Sequence, residues 1–237
     1  MKARLVRTDR VAVETAAFTF EVQAPLVFDA GQTCDLTITA PQYQDEKGSS
    51  RTFSIASSPA DSPRVLVATR LTGSAFKRSL LEAKAGFEVE FDGPFGSFVL
   101  HRNAAKPAVF FAGGIGITPF RSIIKDATER HLPHRMTLFY SNRTPGSTAF
   151  LSDVETWQRQ NANLGLVATI ADATSGEPWS YGVGLMDAGF IAQHVQDWTN
   201  VICYLAGPPA FMKAMRAALD QVGADPDNIR TEEFTGY

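Results

Sequence analysis

An apolar run passes directly into a glycine-rich turn at Val109-Phe110-Phe111-Ala112-Gly113-Gly114-Ile115-Gly116-Ile117-Thr118-Pro119. The apolar run is typical of a buried strand. The glycines allow a tight turn whose free amides can face an anion at the start of a helix. Proline suits the first helical turn because its missing N–H leaves no hydrogen bond unmade. The stretch therefore predicts a strand, a candidate phosphate-binding turn and a helix from Pro119 to about Arg130. The pattern matches G-x-G-x-x-G only in part, so a turn without a ligand explains it equally well on its own.

Strand and helix signals continue to alternate towards the C-terminus. We predict strands at 136–141, 164–170 and 201–206, and helices near 148–160, 187–196 and 209–221. This alternation indicates a parallel sheet covered on both faces, with all strand C-termini at one ligand-binding edge. A second turn at that edge, Gly207-Pro208-Pro209, would complete a crevice long enough for a dinucleotide.

The first hundred residues instead alternate apolar and polar positions, which is typical of half-buried antiparallel strands. The apolar sets are Phe18, Phe20 and Val22; Cys34, Leu36 and Ile38; and Phe87, Val89 and Phe91. One helix is predicted from Ser74 to Lys84, and a polar connector lies at 101–107. The predicted fold is β + α/β, with an N-terminal antiparallel six-stranded β-barrel in residues 1–103 and a doubly wound parallel sheet in residues 104–237.

Composition excludes several classes of function. With 22 basic and 25 acidic residues the chain has no electrostatic reason to bind nucleic acid. No apolar run approaches the roughly 20 residues of a membrane span, and charges interrupt any leader, so we expect a cytoplasmic protein. Cys34 and Cys203 are interpreted as structural thiols, and His131 and His134 as surface histidines, so no metal site is predicted.

The N-terminal half contains one candidate anion site. Arg51-Thr52-Phe53-Ser54 would lie on one strand, with Arg51 and Phe53 on one face and Thr52 and Ser54 on the other. Gly73-Ser74 opens the predicted helix, and a guanidinium beside a helix N-terminus can hold a pyrophosphate. A solvated arginine is the alternative interpretation.

Seven short motifs, taken in order, give the chain a specific resemblance to the ferredoxin-NADP reductase family. They are residues 51–57, Thr69-Arg70, Gly73-Ser74, residues 93–96, the turn at 113–119, residues 207–209 and the ending Glu232-Glu233-Phe234-Thr235-Gly236-Tyr237. The resemblance implies an FAD-binding barrel followed by a domain that binds the nicotinamide nucleotide, NAD(P)H.

The resemblance also implies roles for individual residues. Arg51, Gly73 and Ser74 would hold the FAD pyrophosphate, Thr69 and Arg70 would line the cofactor, and Ser54 would reach the flavin near N5. Phe53 stands where the family usually has tyrosine, and Tyr237 would cover the flavin face. Glu232 is a second catalytic candidate, for proton relay or nicotinamide orientation. The nicotinamide nucleotide would meet Gly113, Gly114, Gly116, Thr118, Ser141, Arg143, Gly207 and Pro208.

The choice of nucleotide depends on charge at the adenosine end. A 2′-phosphate calls for basic residues, and the chain offers Ser141-Asn142-Arg143 there. Asp172 would repel that phosphate, and residues 173–181 contain no lysine or arginine. The sequence therefore favours NADH.

The predicted activity is hydride transfer from NAD(P)H to FAD, followed by single-electron delivery to a separate acceptor such as ferredoxin, flavodoxin, an oxygenase component or a small molecule. A separate acceptor is expected because the chain has no C-x4-C-x2-C iron–sulfur motif. The alternatives are a flavin reductase that releases reduced flavin and a non-catalytic electron-transfer or nucleotide-sensing subunit.

Overall fold

The computed structural model of the chain describes residues 1–174 and 176–234, which form two six-stranded sheets. The first sheet is antiparallel, in the order β4-β3-β6-β1-β2-β5. Its strands are β1 (Lys2–Ala12), β2 (Thr15–Val22), β3 (Thr33–Thr37), β4 (Ser50–Ser54), β5 (Arg64–Arg70) and β6 (Glu88–Phe95), and α1 (Ala75–Glu82) follows β5.

The alternating apolar residues of these strands form the core of the first sheet. Phe18, Phe20, Leu36 and Phe91 are all buried together. Just after β4, the Ala56 amide donates to the carbonyl of Leu66 in β5 (2.7 Å). The two edge strands β4 and β5 are therefore close together, and the sheet closes on itself. The predicted six-stranded barrel is confirmed.

The second sheet is parallel in all its pairings, in the order β10-β9-β8-β7-β11-β12. Its strands are β7 (Ala108–Gly113), β8 (Met136–Asn142), β9 (Leu164–Ile170), β10 (Gly182–Val183), β11 (Ile202–Gly207) and β12 (Ile229–Glu233). From the central strand β7 the chain adds β8, β9 and β10 on one side, and it then returns to add β11 and β12 on the other side. The strand order therefore reverses between β7 and β11, where a doubly wound sheet binds its ligand.

Helices cover both faces of this sheet, as predicted. The helices α2 (Ile117–Glu129) and α3 (Leu151–Gln160) pack on one face through residues such as Phe120 and Val154. The helices α4 (Ala188–Ala192) and α5 (Pro209–Gln221) pack on the other through Ile191 and Met215. Every helix of the described ranges is too short or too polar to span a bilayer.

Three elements differ from the sequence prediction, the first being the two-residue strand β10, which was not predicted. The helix predicted at 187–196 is shorter and spans Ala188–Ala192, and the three residues 192–194 are exposed. The strand β12 was not predicted, since its sequence Ile229-Arg230-Thr231-Glu232-Glu233 lacks an apolar alternation. As an edge strand it needs pairing on one side only, which β11 supplies.

The interpretation of both close histidines as surface residues was wrong for His134. The residue is 6% exposed, and its Nε2 lies 2.8 Å from the His101 carbonyl oxygen. The connector between β6 and β7 covers it, because the His101 amide donates to the Tyr204 hydroxyl (2.8 Å) and anchors the connector to β11. His131 is exposed, and Cys34 and Cys203 are buried free thiols.

Polar contacts from α2 hold the two halves together. Arg121 Nη1 donates to the Ala56 carbonyl (2.7 Å), and the Ser122 hydroxyl donates to the Ser57 carbonyl (2.6 Å). Lys125 pairs with Asp61 at 2.5 Å. The predicted domain boundary near residue 103 stays a prediction, and it falls within residues 96–107, which join the two sheets.

Candidate functional site

A cavity of about 590 Å³ lies between the two halves of the molecule. The ends of β4 and β5, the start of α1, the turn after β7 and the strand β12 all contribute to its wall. The predicted site residues on this wall are Arg51, Thr52, Phe53, Ser54, Thr69, Ser74, Thr118 and Glu232. Residues far apart in sequence and from both sheets thus meet at one site.

Other predicted site residues lie off this wall. Arg70 ends β5 with its side chain half exposed, and its Nη2 lies 3.5 Å from a Glu14 carboxylate oxygen. Gly73 directly precedes the wall residue Ser74. The remaining ones belong to the edge of the parallel sheet: Gly113, Gly114, Gly116, Ser141, Arg143, Gly207 and Pro208. Tyr237 lies outside the described residues, so its predicted position over the flavin stays a prediction.

The alternation along β4 places its side chains as predicted. The Arg51 guanidinium lies over the Phe76 ring at 5.4 Å, and the Phe53 ring centroid is 5.9 Å from that of Phe76. Thr52 instead donates to Asp35 (2.5 Å), and Ser54 donates to Glu232 (3.3 Å). One face of β4 therefore carries the cation and the ring, and the other carries the hydroxyls.

Ser54 and Glu232 form a polar pair between the two halves. The Ser54 side chain ends β4 and is 3% exposed, whereas Glu232 lies on β12 opposite Ala206 of β11. The Ser54 hydroxyl donates to Oε1, while Oε2 is buried without a hydrogen-bond partner. Burial raises the pKa of Glu232 to about 7, and the hydrogen bond from Ser54 offsets part of this rise. This carboxyl group can therefore hold or release a proton near neutral pH.

Replacing Glu232 by glutamine should remove a pH-dependent loss of stability. The folded-state pKa of about 7 exceeds the ordinary 4.5, so the folded state binds more protons between these values. The free energy of unfolding of the parent chain therefore falls as pH rises through this window. The free energy of unfolding of Glu232→Gln, minus that of the parent chain, should therefore increase by up to about 3 kcal/mol between pH 5 and pH 8. Urea unfolding of flavin-free protein measures this difference. Glu233→Gln, which alters the exposed neighbouring carboxylate, is the control. Parallel stability–pH curves for Glu232→Gln and the parent chain would contradict the assignment.

Arg51 is fixed against the loop that precedes its strand. Its Nη1 donates to the carbonyl oxygens of Lys47 (2.8 Å), Gly48 (3.0 Å) and Ser50 (2.6 Å). Its Nη2 is buried without a hydrogen-bond partner, and its nearest ion-pair contact is Asp45 Oδ1 at 3.5 Å. Part of the guanidinium is therefore left to bind an anion in the cavity.

Lys77 is a cavity residue that the sequence reasoning missed. It lies in the first turn of α1 with 9% of its surface exposed, and its Nζ donates to the Thr72 hydroxyl (3.0 Å). Burial, followed by the positive charges of Arg51, Arg70 and Lys47, lowers the pKa of Lys77 to about 8. No carboxylate of the described residues forms an ion pair with it. The one available signal was its position three residues after Ser74, at a helix start already identified as an anion site.

The glycines at the edge of the parallel sheet let two turns pack closely. A Cβ on Gly116 would lie 2.2 Å from the Ala206 carbonyl oxygen, and one on Gly113 would lie 2.6 Å from the Phe211 ring. Gly114 differs, because its φ is +54° and no atom lies within 4 Å of where its Cβ would be. The turn after β7 and the turn after β11 are thus adjacent, as predicted, and the backbone at Gly114 faces open space.

Comparison with known proteins supports this two-part architecture. Residues 110–217 match the family model of the oxidoreductase NAD-binding domain. The flavohem-like FAD/NAD-binding domain of nitric oxide dioxygenase from Vibrio cholerae has a TM-score of 0.86 and 19% identity, with 98% of each chain covered. The chain therefore has the two-domain fold of ferredoxin-NADP reductase-like proteins, and residues 110–217 are similar to an oxidoreductase NAD-binding domain. The chain is thus similar to oxidoreductases that bind FAD and a nicotinamide nucleotide. A cytochrome P450 reductase from Amycolatopsis, GcoB, has the same fold, with a TM-score of 0.86 and 23% identity over 100% of this chain and 70% of its own.

Curated proteins similar to this chain include reductase components of oxygenases. The terephthalate 1,2-dioxygenase reductase component 1 of Comamonas sp. is 25% identical over 190 residues, which cover 80% of this chain and 56% of that protein. The propane 2-monooxygenase reductase component of Gordonia sp. (strain TY-5) is 26% identical over 211 residues, covering 88% and 59%. The chain thus spans somewhat more than half the length of these relatives.

The cavity fits FAD, the cofactor that the resemblance to the ferredoxin-NADP reductase family implies. Two buried polar atoms on its wall, Arg51 Nη2 and Glu232 Oε2, have no hydrogen-bond partner, as expected where a polar ligand would complete the bonding. Lys77 adds a cation that an anionic ligand would stabilise, and the buried side chains of Phe53 and Ile115 add apolar surface. Arg51, Ser74 and Lys77 would hold the diphosphate, and Phe53 would pack against the ring system.

Arg143 and Asp172, the two charged residues considered for nucleotide choice, follow the C-terminal ends of the neighbouring strands β8 and β9. The Asp172 amide donates to the Arg143 carbonyl (2.8 Å), and both side chains are exposed. Hydrogen bonds from Thr174, with a smaller contribution from the Arg143 charge, lower the pKa of Asp172, so the carboxylate is ionised at neutral pH. The Asp172 carboxylate is thus close enough to the Arg143 guanidinium for their charges to interact.

Proposed function

We propose that the chain is a flavoprotein reductase that takes electrons from NADH and delivers them to a separate acceptor, such as ferredoxin, flavodoxin or an oxygenase component. The observation that carries this proposal is the cavity itself. Its wall combines Arg51 and Ser54 of the barrel with Thr118 and Glu232 of the α/β half. The relatives that are reductase components of oxygenases support the class of acceptor.

Bound FAD would supply the acceptor for a hydride and the donor of single electrons. The protein supplies binding, orientation and electrostatics. Arg51 and Lys77 would bind the diphosphate by charge, and Phe53 and Ile115 would exclude water from the ring system. Asp172 would disfavour NADPH by repelling its 2′-phosphate, so NADH is the proposed reductant.

The Ser54–Glu232 pair would control a proton at the junction of the two halves. Ser54 is the side chain that we propose to contact the flavin near N5. Glu232 would act through Ser54, because its carboxyl group accepts the hydrogen bond of the Ser54 hydroxyl and exchanges a proton near neutral pH. Ser54 is buried and Glu232 is half-buried, so their hydrogen bond is partly shielded from water.

Replacing Ser54 by alanine should slow flavin reduction by NADH by roughly 10- to 100-fold, with FAD still bound. The reason is that the hydroxyl proposed at the reacting atom is lost, while the diphosphate-binding residues remain. Anaerobic single-turnover kinetics measures this rate, and Ser97→Ala removes an exposed hydroxyl as a control. An unchanged rate would exclude Ser54 from this role.

A flavin reductase that releases reduced flavin is the second candidate. Phe53 favours it, because phenylalanine cannot make the hydrogen bond of the tyrosine usual at this position. Retention of yellow colour through dialysis would argue against this candidate. Reduction of an artificial dye by NADH with the isolated chain would argue against a non-catalytic subunit.

A further inference from the structure

Asp45 contacts Arg51, which the proposed function assigns to the cofactor diphosphate, and the N-terminus of α1 next to Ser74. It lies on the exposed loop between β3 and β4, beside Arg51 and the start of α1 and off the cavity wall. Its Oδ2 accepts a hydrogen bond from the amide of Ala75 (2.8 Å), the first residue of α1. Its Oδ1 lies 3.5 Å from Arg51 Nη2. One carboxylate thus bridges the guanidinium and the helix N-terminus.

A carboxylate in this place is chemically similar to the phosphate that the site would bind. Guanidinium groups and helix N-terminal amides bind carboxylates and phosphates through the same charge-assisted hydrogen bonds. The Ala75 amide is the largest cause of a lowered pKa of Asp45, so the side chain is an anion at neutral pH. The surrounding cluster is rich in cations: the positive charges of Arg51, Arg70 and Lys47 all lower the pKa of Lys77. In the flavin-free chain, Asp45 therefore partly neutralises this cluster.

We propose that Asp45 competes with the cofactor phosphate for Arg51 and the start of α1, and thereby lowers the affinity of the chain for flavin nucleotides. This inference rests on the proposed function. Binding of the phosphate requires the Asp45 carboxylate to leave the Ala75 amide and the Arg51 guanidinium. Residues 44–48 are exposed, so the displaced carboxylate enters water without unfolding any buried structure. Asp45 would then help to set how readily the flavin dissociates.

The variant Asp45→Asn isolates the charge from the shape of the loop. Asp45 Oδ1 also accepts a hydrogen bond from the Lys47 amide (3.0 Å), and an asparagine side chain keeps one oxygen acceptor in the same place. Glu46→Gln is a matched control. It removes one negative charge from the next residue of the same exposed loop, and among the described residues Glu46 forms no hydrogen bond or ion pair.

The experiment titrates flavin-free parent chain, Asp45→Asn and Glu46→Gln with FAD, FMN and riboflavin, following the quenching of flavin fluorescence. Asp45→Asn should bind FAD and FMN about tenfold more tightly than the parent chain, since one competing charge-assisted contact is weakened. Riboflavin has no phosphate, so its affinity should not change. Glu46→Gln should shift the FAD affinity by no more than about twofold, as expected for a solvated charge.

Three results would overturn the competition. These are an unchanged FAD affinity in Asp45→Asn, a lower FAD affinity, which would make Asp45 a residue that positions Arg51, and an equal gain for riboflavin. If none of the three proteins binds any flavin, both the proposed function and the competition fail. If the parent chain binds FAD and Asp45→Asn gains nothing, only the competition fails.

Discussion

Arg51→Ala protein should purify largely without flavin and bind added FAD about 100-fold more weakly than the parent chain. The variant removes a guanidinium whose Nη2 lies buried on the cavity wall without a hydrogen-bond partner. Charge-assisted hydrogen bonds contribute about 1.5–3 kcal/mol, so loss of this group accounts for an effect of this size. Equilibrium titration of flavin-free protein with FAD measures the affinity.

The control must separate cofactor binding from folding, because Arg51 also holds the loop carbonyls of residues 47, 48 and 50. Arg64→Ala removes an exposed guanidinium from the same barrel without touching the cavity. Urea unfolding of both variants shows whether the barrel remains intact. A folded Arg51→Ala protein that retains a full complement of FAD would contradict the diphosphate assignment.

Gly116→Ala should lower the free energy of unfolding by about 3 kcal/mol, at the upper end of the cost of overpacking a core. The added Cβ would lie 2.2 Å from the carbonyl oxygen of Ala206 and 2.8 Å from Gly207 Cα, both backbone atoms of the neighbouring turn. To relieve this collision, the turn after β7 and the turn after β11 must separate. NADH binding should weaken as well, since both turns border the predicted nucleotide crevice. Urea unfolding and an NADH titration measure the two effects.

Gly165→Ala serves as the matched control for this variant. Gly165 lies on β9 of the same sheet, and its added Cβ would make only ordinary contacts, the nearest with Thr137 Oγ1 at 3.7 Å. Its stability should stay within about 1 kcal/mol of the parent chain. Equal stability of Gly116→Ala and Gly165→Ala would show that the close approach of the two turns is not required.

Most of the fold could be predicted because its cores follow simple periodicities. The run at 109–112 is buried on both faces of a parallel sheet, so every residue of it is apolar. Phe18, Phe20 and Val22 alternate because one face of β2 lies in the barrel core, and Ala17 and Thr19 on its other face are buried as well. The strand β12 has neither pattern, because an edge strand is held by one neighbour and tolerates polar residues. Its position nevertheless brings Glu232 to the cavity, a placement that only the family resemblance anticipated.

The parts of the site that were missed depend on proximity in space. Asp45 belongs to an irregular loop with no periodicity, and its role follows from meeting Arg51 and Ala75. Lys77 looks like an ordinary helix residue until its burial beside other cations is known. His134 is buried because the connector to β7 folds over it, which a break in helical pattern does not reveal.

The most direct test of an FAD site between the two halves, with NADH as its reductant, is an anaerobic visible spectrum of the purified chain with FAD, titrated in parallel with NADH and NADPH. We expect bound flavin, complete bleaching near one equivalent of NADH, and a requirement for about tenfold more NADPH because of the like charge of Asp172. A folded chain that takes up no FAD, or holds FAD that neither nucleotide bleaches, would contradict it.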